Sequence, residues 1–129
     1  MFALFSGMTY AQNFKAHQWK NRLVVIYSDN FHDAQAVRQL DVLFSYQEAL
    51  TERRIVVYHV TPKGYREGRG EKTIRVNKPY KGPWQFQVDL IGLDGGKKFS
   101  SNKVEPIQTF NALIDGMPMR RAEMKRKKG

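Results

Sequence analysis

Two short runs of apolar, mostly β-branched residues constrain the fold of this chain more than any other feature. The first covers residues 22–28 and reads Arg-Leu-Val-Val-Ile-Tyr-Ser, and the second covers residues 55–60 and reads Ile-Val-Val-Tyr-His-Val. Uninterrupted runs of this kind are typical of strands covered on both faces, as in a parallel or mixed sheet. The sequence therefore predicts two buried strands of one sheet.

The segment between the two runs has helical periodicity. Ser28, Asp29, Asn30 and Asp33 supply helix-start signals, and apolar residues then recur at helical spacing over roughly residues 33–52. We therefore predict a strand, a helix and a second strand, joined by a right-handed connection.

The second half of the chain has a different pattern. Residues 86–92 are typical of a strand, residues 93–96 (Leu-Asp-Gly-Gly) of a hairpin turn, and residues 97–100 of its antiparallel partner. Pro106 occupies a favoured first position of a last helix, which Pro118 disturbs at its end. The order β-α-β followed by β-β-α predicts an α/β, thioredoxin-like three-layer fold.

Residues 61–83 depart from that fold where a second crossover helix is expected. Four glycines and three prolines in this connection argue against a long helix. We predict that the crossover helix is shortened, or replaced by loop and an extra strand around residues 73–76.

The chain contains no cysteine. Disulfides, thiolate metal sites and thiol catalysis are therefore excluded, and with them thiol oxidoreductase and peroxidase activity. An active domain of this fold would have to work without its usual thiols.

Three stretches resemble the domain of unknown function 4174 family, described as thioredoxin- or peroxiredoxin-like and also found in secreted sushi-repeat proteins. They are residues 19–22 (Trp-Lys-Asn-Arg) with Gln35, residues 90–98 (Leu-Ile-Gly-Leu-Asp-Gly-Gly-Lys-Lys) and residues 113–121 (Leu-Ile-Asp-Gly-Met-Pro-Met-Arg-Arg). The signature residues are Trp19, Arg22, Asp94, Gly95, Asp115, Met117, Pro118, Arg120 and Arg121. The resemblance covers most of residues 17–125 and implies a thioredoxin-like fold and, commonly, export, but no established activity.

The loop after the first strand is where a thioredoxin keeps its thiols, and here it carries Asp29, Asn30, His32 and Asp33. Carboxylates at a helix start favour capping of that helix. The alternative is a weak metal or acid–base site around His32. The three histidines, at positions 17, 32 and 59, show no ligand spacing, so we expect no metal and no cofactor. His59 lies in a predicted buried strand, which favours a hydrogen-bonded core residue.

The positive charge is concentrated in two segments. Residues 61–83 hold seven basic and two acidic residues, and residues 117–129 hold six basic and one acidic, which together account for the formal net charge of +10. Such clustering attracts polyanions or acidic protein surfaces, although solubility alone would also explain it.

The basic residues of the connection fall at every third position: Lys63, Arg66, Arg69, Lys72, Arg75, Lys78 and Lys81. In an extended segment with three residues per turn they would line one edge, with Tyr65, Tyr80 and Trp84 nearby. That arrangement predicts binding of nucleic acid or an acidic glycan. If the segment is a hairpin, the period has no meaning, because strand faces alternate in twos.

The two ends of the chain complete the predicted organisation. Residues 1–11 resemble the end of a signal peptide, which favours export to the periplasm or outside the cell, with a cytoplasmic location as the alternative. Residues 12–119 form the domain, and residues 120–129 a basic tail. No apolar stretch approaches the ~20 residues that span a membrane. Because Arg120 and Arg121 belong to the signature, part of the tail is expected to dock on the domain.

Three functions are compatible with these features. The first is a non-catalytic binding domain whose basic surface favours an anionic partner. The second is an enzyme without thiols that uses the polar residues between Asp29 and Asp33. The third is a structural or assembly module. No nucleophile motif, phosphate-binding glycine loop or recognisable carboxylate pair is present, so the first is favoured.

Overall fold

The computed structural model describes residues 14–75 and 85–128, which form a mixed α/β domain. The strands are β1 (Arg22–Tyr27), β2 (Ile55–Thr61), β3 (Gly64–Glu67), β4 (Gln87–Ile91) and β5 (Lys97–Ser101). The helices are α1 (Ala34–Phe44), α2 (Gln47–Glu52), α3 (Ile107–Asp115) and α4 (Pro118–Lys128). The predicted signal-peptide remnant, residues 1–11, lies outside the described residues.

The five strands form one sheet in the order β3-β2-β1-β4-β5. Strands β1 and β2 are parallel, with Val24 beside Val57, and α1 and α2 lie between them in the chain. The other neighbours, β1 with β4, β4 with β5 and β2 with β3, are antiparallel. The predicted β-α-β unit and the later hairpin are both confirmed.

Each face of the sheet carries its own apolar cluster, because successive strand residues point to opposite faces. Val24 and Ile26 lie on the first face, where the buried residues of α1, α2 and α3 pack against them. Leu23 and Val25 lie on the second face with Tyr58. The second cluster contains no residue of α1–α4, so the second helical layer of a three-layer arrangement is not found among the described residues.

The helical segment between β1 and β2 consists of two helices and not of the single predicted helix over residues 33–52. Tyr46 has φ −124° and ψ 52°, which are not helical values. The Ser45 hydroxyl also donates to the Asp41 carbonyl oxygen at 2.7 Å, a local bond that competes with continuation of the helix. The chain therefore turns after Phe44 and starts α2 at Gln47.

The connection after β2 turns back at once. Pro62 and Lys63 form a two-residue turn, and Gly64 then pairs with Thr61 at the start of β3. Gly64 has φ +135°, and a Cβ atom there would lie 2.2 Å from the Ile74 carbonyl oxygen, so only glycine fits. Ile74 forms an isolated bridge with Tyr65 near the predicted extra strand, and residues 76–84 lie outside the described residues.

The segment predicted as a basic tail begins inside α4. Arg120 is only 3% exposed, so the expectation that part of this segment docks on the domain holds for that residue. Arg121, one position later, is exposed.

Candidate functional site

The polar loop after β1 is organised by its own side chains. The Asp33 carboxylate accepts a hydrogen bond from the Ala36 backbone N–H at 3.0 Å and caps α1, as predicted. Asn30 Oδ1 accepts from the His32 backbone N–H at 2.8 Å, which fixes the turn. The side chains of Asp29 and His32 are exposed. The side chains of Asn30 and Asp33 therefore serve the turn and the start of α1.

Ser28 and His59 form a buried pair below this loop. His59 is 2% exposed, and its Nε2 lies 2.6 Å from the Ser28 hydroxyl oxygen. The same hydroxyl donates to the Asn30 carbonyl oxygen at 2.8 Å. Burial, and then the nearby Arg66 guanidinium, lower the pKa of His59 from 6.5 to about 4, while Asp33 opposes the shift. His59 is therefore neutral at neutral pH, as expected of a hydrogen-bonded core histidine.

Arg66 lies directly across from His59 because the hairpin register pairs the two residues. Its guanidinium carbon lies 3.9 Å from the ring centroid of Phe31, and its Nε donates to the Thr73 hydroxyl at 3.0 Å. The Phe31 ring also meets the His59 ring edge-on, with centroids 5.0 Å apart. Arg66 thus has a fixed position in which its terminal nitrogens have no acidic partner in the described part of the chain.

These side chains border a cleft of about 300 Å³ between α1 and β3, which we call the α1–β3 cleft. Phe31, Val37 and Leu40 form its apolar wall. Arg66 and His59 lie along β3 and β2, and Arg69, ion-paired to Asp41, lies at its mouth. The cleft combines an arginine that has no acidic partner among the described residues, a neutral histidine and an apolar wall.

The other basic residues predicted to bind surround the hairpin without forming one edge. Residues 64–67 are a strand and residues 68–69 a turn, so the spacing of three does not place the basic side chains in one line. Lys63, Lys72 and Arg75 are exposed and have no acidic partner within residues 14–75 and 85–128. Lys78, Tyr80, Lys81 and Trp84 lie outside the described residues.

Tyr65 does not belong to the basic surface, which corrects its assignment as a candidate binding residue. It is 2% exposed and packs with Tyr58 on the second face of the sheet, at a ring-centroid distance of 5.5 Å. In a strand, neighbouring side chains point to opposite faces, so Arg66 and Tyr65 cannot share one surface.

Three signature residues and their partners form an ion cluster at the opposite end of the sheet, where β1 and β2 begin. We call it the amino-end ion cluster, and it consists of Arg22, Glu52, Arg53, Asp115, Arg120 and Glu123. Both carboxylate oxygens of Glu123 accept from Arg22, at 3.3 and 3.2 Å. Asp115 accepts two hydrogen bonds from Arg53, at 3.1 and 2.8 Å.

Arg120 joins the two halves of this cluster. It donates to Asp115 at 3.1 Å and to Glu52, and its Nη1 lies 3.5 Å from Glu123. The hydrogen bond from Arg53 lowers the pKa of Asp115, and the one from Arg120 lowers the pKa of Glu52. The cluster holds α4 against the start of β1 and satisfies its own charges, which is a structural role.

The remaining signature residues shape turns. The Asp94 carboxylate accepts hydrogen bonds from Lys98 and from the Gly96 backbone N–H, which lower the pKa of Asp94. Gly95 has φ +86°. The backbone N–H of Trp19 donates to the Leu93 carbonyl oxygen. Met117, Pro118 and Arg121 lie where α3 gives way to α4.

Sequence reasoning missed Ser28, Phe31 and the pairing of His59 with Arg66. One signal for the pairing was available. The Thr61-Pro62-Lys63-Gly64 stretch is a turn signal, and a two-residue turn there places position 59 opposite position 66. Nothing in the sequence indicates that the Phe31 ring lies against both side chains.

Two other kinds of feature are absent from residues 14–75 and 85–128. No group of three or more histidine, aspartate or glutamate side chains is placed to hold a metal ion. No helix there has the length and apolar character needed to cross a membrane.

Residues 13–123 match the model of a protein family described as a domain of unknown function, DUF4174. No curated protein and no solved structure matches the chain.

Proposed function

The chain belongs to this family of unknown function, DUF4174, and from its own geometry we propose that it is a non-catalytic domain that binds an anionic partner. The proposed site is the basic surface of the β2–β3 hairpin together with the α1–β3 cleft. The observation that carries the proposal is the Arg66 guanidinium, which lies 3.9 Å above the Phe31 ring beside a neutral histidine and has no carboxylate partner within residues 14–75 and 85–128.

The charges around the cleft support the same conclusion. A guanidinium whose position is already fixed loses less side-chain freedom on binding, and it offers two parallel N–H donors to an oxyanion. Lys63, Lys72 and Arg75 add positive charge around it and lack acidic partners among the described residues. Counterion release from a polyanion would then contribute to its affinity.

The surroundings of Ser28 argue against a hydrolytic enzyme. Ser28 is fully buried, and its hydroxyl proton is committed to the Asn30 carbonyl oxygen, so His59 is not placed to activate it. Because the chain contains no cysteine, no thiol can act as the nucleophile in place of the Ser28 hydroxyl.

The arrangement of strands supports a thioredoxin-like domain. Strands β2-β1-β4-β5 combine a parallel β-α-β unit with an antiparallel hairpin, and α3 follows that hairpin. In this interpretation β3 replaces the second crossover helix. The loop at Ser28–Asp33, where a thioredoxin has its thiols, borders the cleft through Phe31.

We also propose export of the protein, which rests on the apolar run at residues 1–8 and the small residues at positions 9 and 11. Mass spectrometry of the protein purified from its source organism tests it. A mature chain that starts at Gln12 supports export, and a chain that keeps Met1 contradicts it.

Binding to heparin and to a short DNA duplex across a salt series tests the proposed function. The hairpin variant carries Arg66→Gln, Lys72→Gln and Arg75→Gln. A matched control removes the same charge from α4, with Arg121→Gln, Lys125→Gln and Arg126→Gln. We expect the wild type to bind with an affinity that falls steeply with salt. In the hairpin variant the logarithmic salt slope falls by about 3, roughly one for each lost contact.

The α4 control separates a site from net charge. If the proposal is right, the control keeps most of the affinity. Equal losses in the two variants would mean that only the overall charge of +10 attracts the polyanion. Absence of binding in the wild type would assign the charge to solubility.

A further inference from the structure

The hydrogen bonds around His59 assign its tautomer. The Ser28 hydroxyl has one proton, and it donates that proton to the Asn30 carbonyl oxygen at 2.8 Å. Ser28 can therefore only accept from His59, so the proton of the neutral imidazole lies on Nε2, 2.6 Å from the hydroxyl oxygen. Nδ1 is left as an acceptor, and it has no hydrogen-bond partner among the described residues.

His59 lines the α1–β3 cleft, and its unpaired Nδ1 is not a fully buried atom, so this hydrogen-bond acceptor is open to the cleft beside the Arg66 guanidinium. A bare anion is attracted by Arg66 but meets the lone pair of Nδ1. A ligand that matches both groups presents anionic oxygens to the arginine and an O–H donor to the histidine.

The apolar wall of the cleft indicates the kind of organic body that carries this anionic group. Val37 and Leu40 line the cleft beside Phe31, and its volume of about 300 Å³ suits a small organic body. A free inorganic anion would leave this apolar surface in contact with water.

We propose that the α1–β3 cleft binds a small phosphate monoester in its singly protonated form. The P–O–H group donates to His59 Nδ1, the anionic oxygens accept from Arg66, and the organic body packs on Val37 and Leu40. This inference rests on the proposed function, since the cleft lies within the same basic surface. The sulfates of heparin and the phosphodiesters of DNA lack an O–H donor, so those polyanions test the charge of Arg66, Lys72 and Arg75 and not the contact with His59. A sulfate monoester has similar size and the same single charge but no O–H group, so the cleft discriminates against it.

The charged groups that face His59 are compatible with this ligand. Arg66 faces it from β3 and Asp33 from the start of α1, while the Arg69–Asp41 ion pair lies at the mouth. At pH 5.5 a phosphate monoester, whose second pKa is about 6, is largely singly charged. His59 is still neutral at that pH.

Calorimetric titration of the full chain with phenyl phosphate and with phenyl sulfate at pH 5.5 tests the proposal. We expect phenyl phosphate to bind at least about tenfold more tightly, because the sulfate leaves Nδ1 without a donor. Inorganic phosphate is expected to bind more weakly than phenyl phosphate, since it lacks the apolar body. Equal affinities for the two phenyl esters would overturn the assignment and leave the anion site intact. Absence of binding by either ester would overturn the inference, and the heparin titration decides the proposed function separately.

Two further measurements bear on the role of His59. In Ser28→Ala the imidazole is free to carry its proton on Nδ1, so the preference for phosphate over sulfate is expected to fall toward unity. In the wild type, ¹⁵N chemical shifts of the His59 ring report the tautomer without a substitution. An Nδ1–H tautomer in the free protein would overturn the proposal, and an Nε2–H tautomer supports it.

Discussion

The arginines at the two ends of the sheet have opposite electrostatic environments. At the amino end, Arg22, Arg53 and Arg120 are each held by at least one carboxylate, and Arg22 and Arg120 are almost completely buried. At the carboxyl end, Arg66 lies in an open cleft against an aromatic ring, with no carboxylate to pair it among the described residues. The first arrangement uses charge to hold elements together, and the second leaves charge available to a partner.

This difference shows why a ligand-binding site is not expected among the residues that identify the family. Arg22, Asp115 and Arg120 of the signature belong to the amino-end ion cluster. Asp94 and Gly95 shape a turn. A buried charge that is already paired with its counter-charge is not available to an anionic ligand, whereas removal of one partner is costly. The signature residues therefore stabilise the fold, whereas the cleft is identified from its geometry and not from the signature.

The largest effect is expected from Glu123→Gln at the amino end. This substitution removes the carboxylate that accepts two hydrogen bonds from Arg22, whose side chain is 1% exposed. Arg22 Nε already has no hydrogen-bond partner in the described part of the chain. A buried guanidinium without its counter-charge should lower the free energy of unfolding by about 3–5 kcal/mol. Urea unfolding followed by circular dichroism measures it.

Lys125→Gln is the matched control for this variant, because Lys125 is an exposed residue of the same helix. Its effect should stay within about 0.5 kcal/mol. If Glu123→Gln costs no more than Lys125→Gln, the amino-end ion cluster does not hold α4 on the sheet, and the contrast between the two ends fails.

A smaller effect on the free energy of unfolding is expected from His59 at the carboxyl end, and this effect depends on pH. The pKa of His59 is about 4 in the folded protein and 6.5 ordinarily. Between these values the unfolded chain binds a proton that the folded protein does not, so stability is complete above pH 6.5 and falls as the pH drops toward 4. The wild type should lose about 2–3 kcal/mol across this window. His59→Gln should remove that slope in urea unfolding at matched pH.

The stability contributed by the amino-end ion cluster should change with pH in a more acidic range than the contribution of His59. The pKa values of Asp115 and Glu52 are lowered from 3.8 and 4.5, so their stabilisation is present above those values and is lost as the pH falls below them. Asp115→Asn should therefore lower the stability at neutral pH, and its difference from the wild type should shrink only as the pH falls below 3.8. A His59→Gln curve that still falls between pH 6.5 and 4 would show that another group titrates there.

The strands β1, β2, β4 and β5 could be predicted from the sequence, because apolar runs and turn residues act locally, whereas β3 at Gly64–Glu67 was not predicted. The runs at residues 22–28 and 55–60 predicted β1 and β2, and Asp94-Gly95 predicted the β4–β5 turn. The break after Phe44 could not be predicted from apolar spacing, since it depends on the Tyr46 backbone and the Ser45 hydroxyl.

The site was predictable only in part. Arg66 and Arg69 stood out by charge, and His59 was recognised as a buried polar residue. Their meeting at one cleft depends on the hairpin register and on the position of the Phe31 ring, which are tertiary properties. The spacing of three among the basic residues indicated an extended edge that residues 64–67 do not form.

The smallest effect on stability is expected from Asp41→Asn at the mouth of the cleft. The side chains of Arg69 and Asp41 are 56% and 62% exposed, so the loss of their ion pair should cost no more than about 0.5 kcal/mol. The same change leaves Arg69 free to face the cleft and removes a negative charge that repels an anion. Phenyl phosphate should then bind roughly two- to fivefold more tightly, since an exposed charge contributes at most about 1 kcal/mol. Glu48→Gln removes an equal charge from an exposed position on α2 and should leave the affinity unchanged. If both variants gain equally, the gain comes from net charge alone. If Asp41→Asn alone gains affinity without losing stability, the carboxyl end holds its charges for a ligand, unlike the amino end.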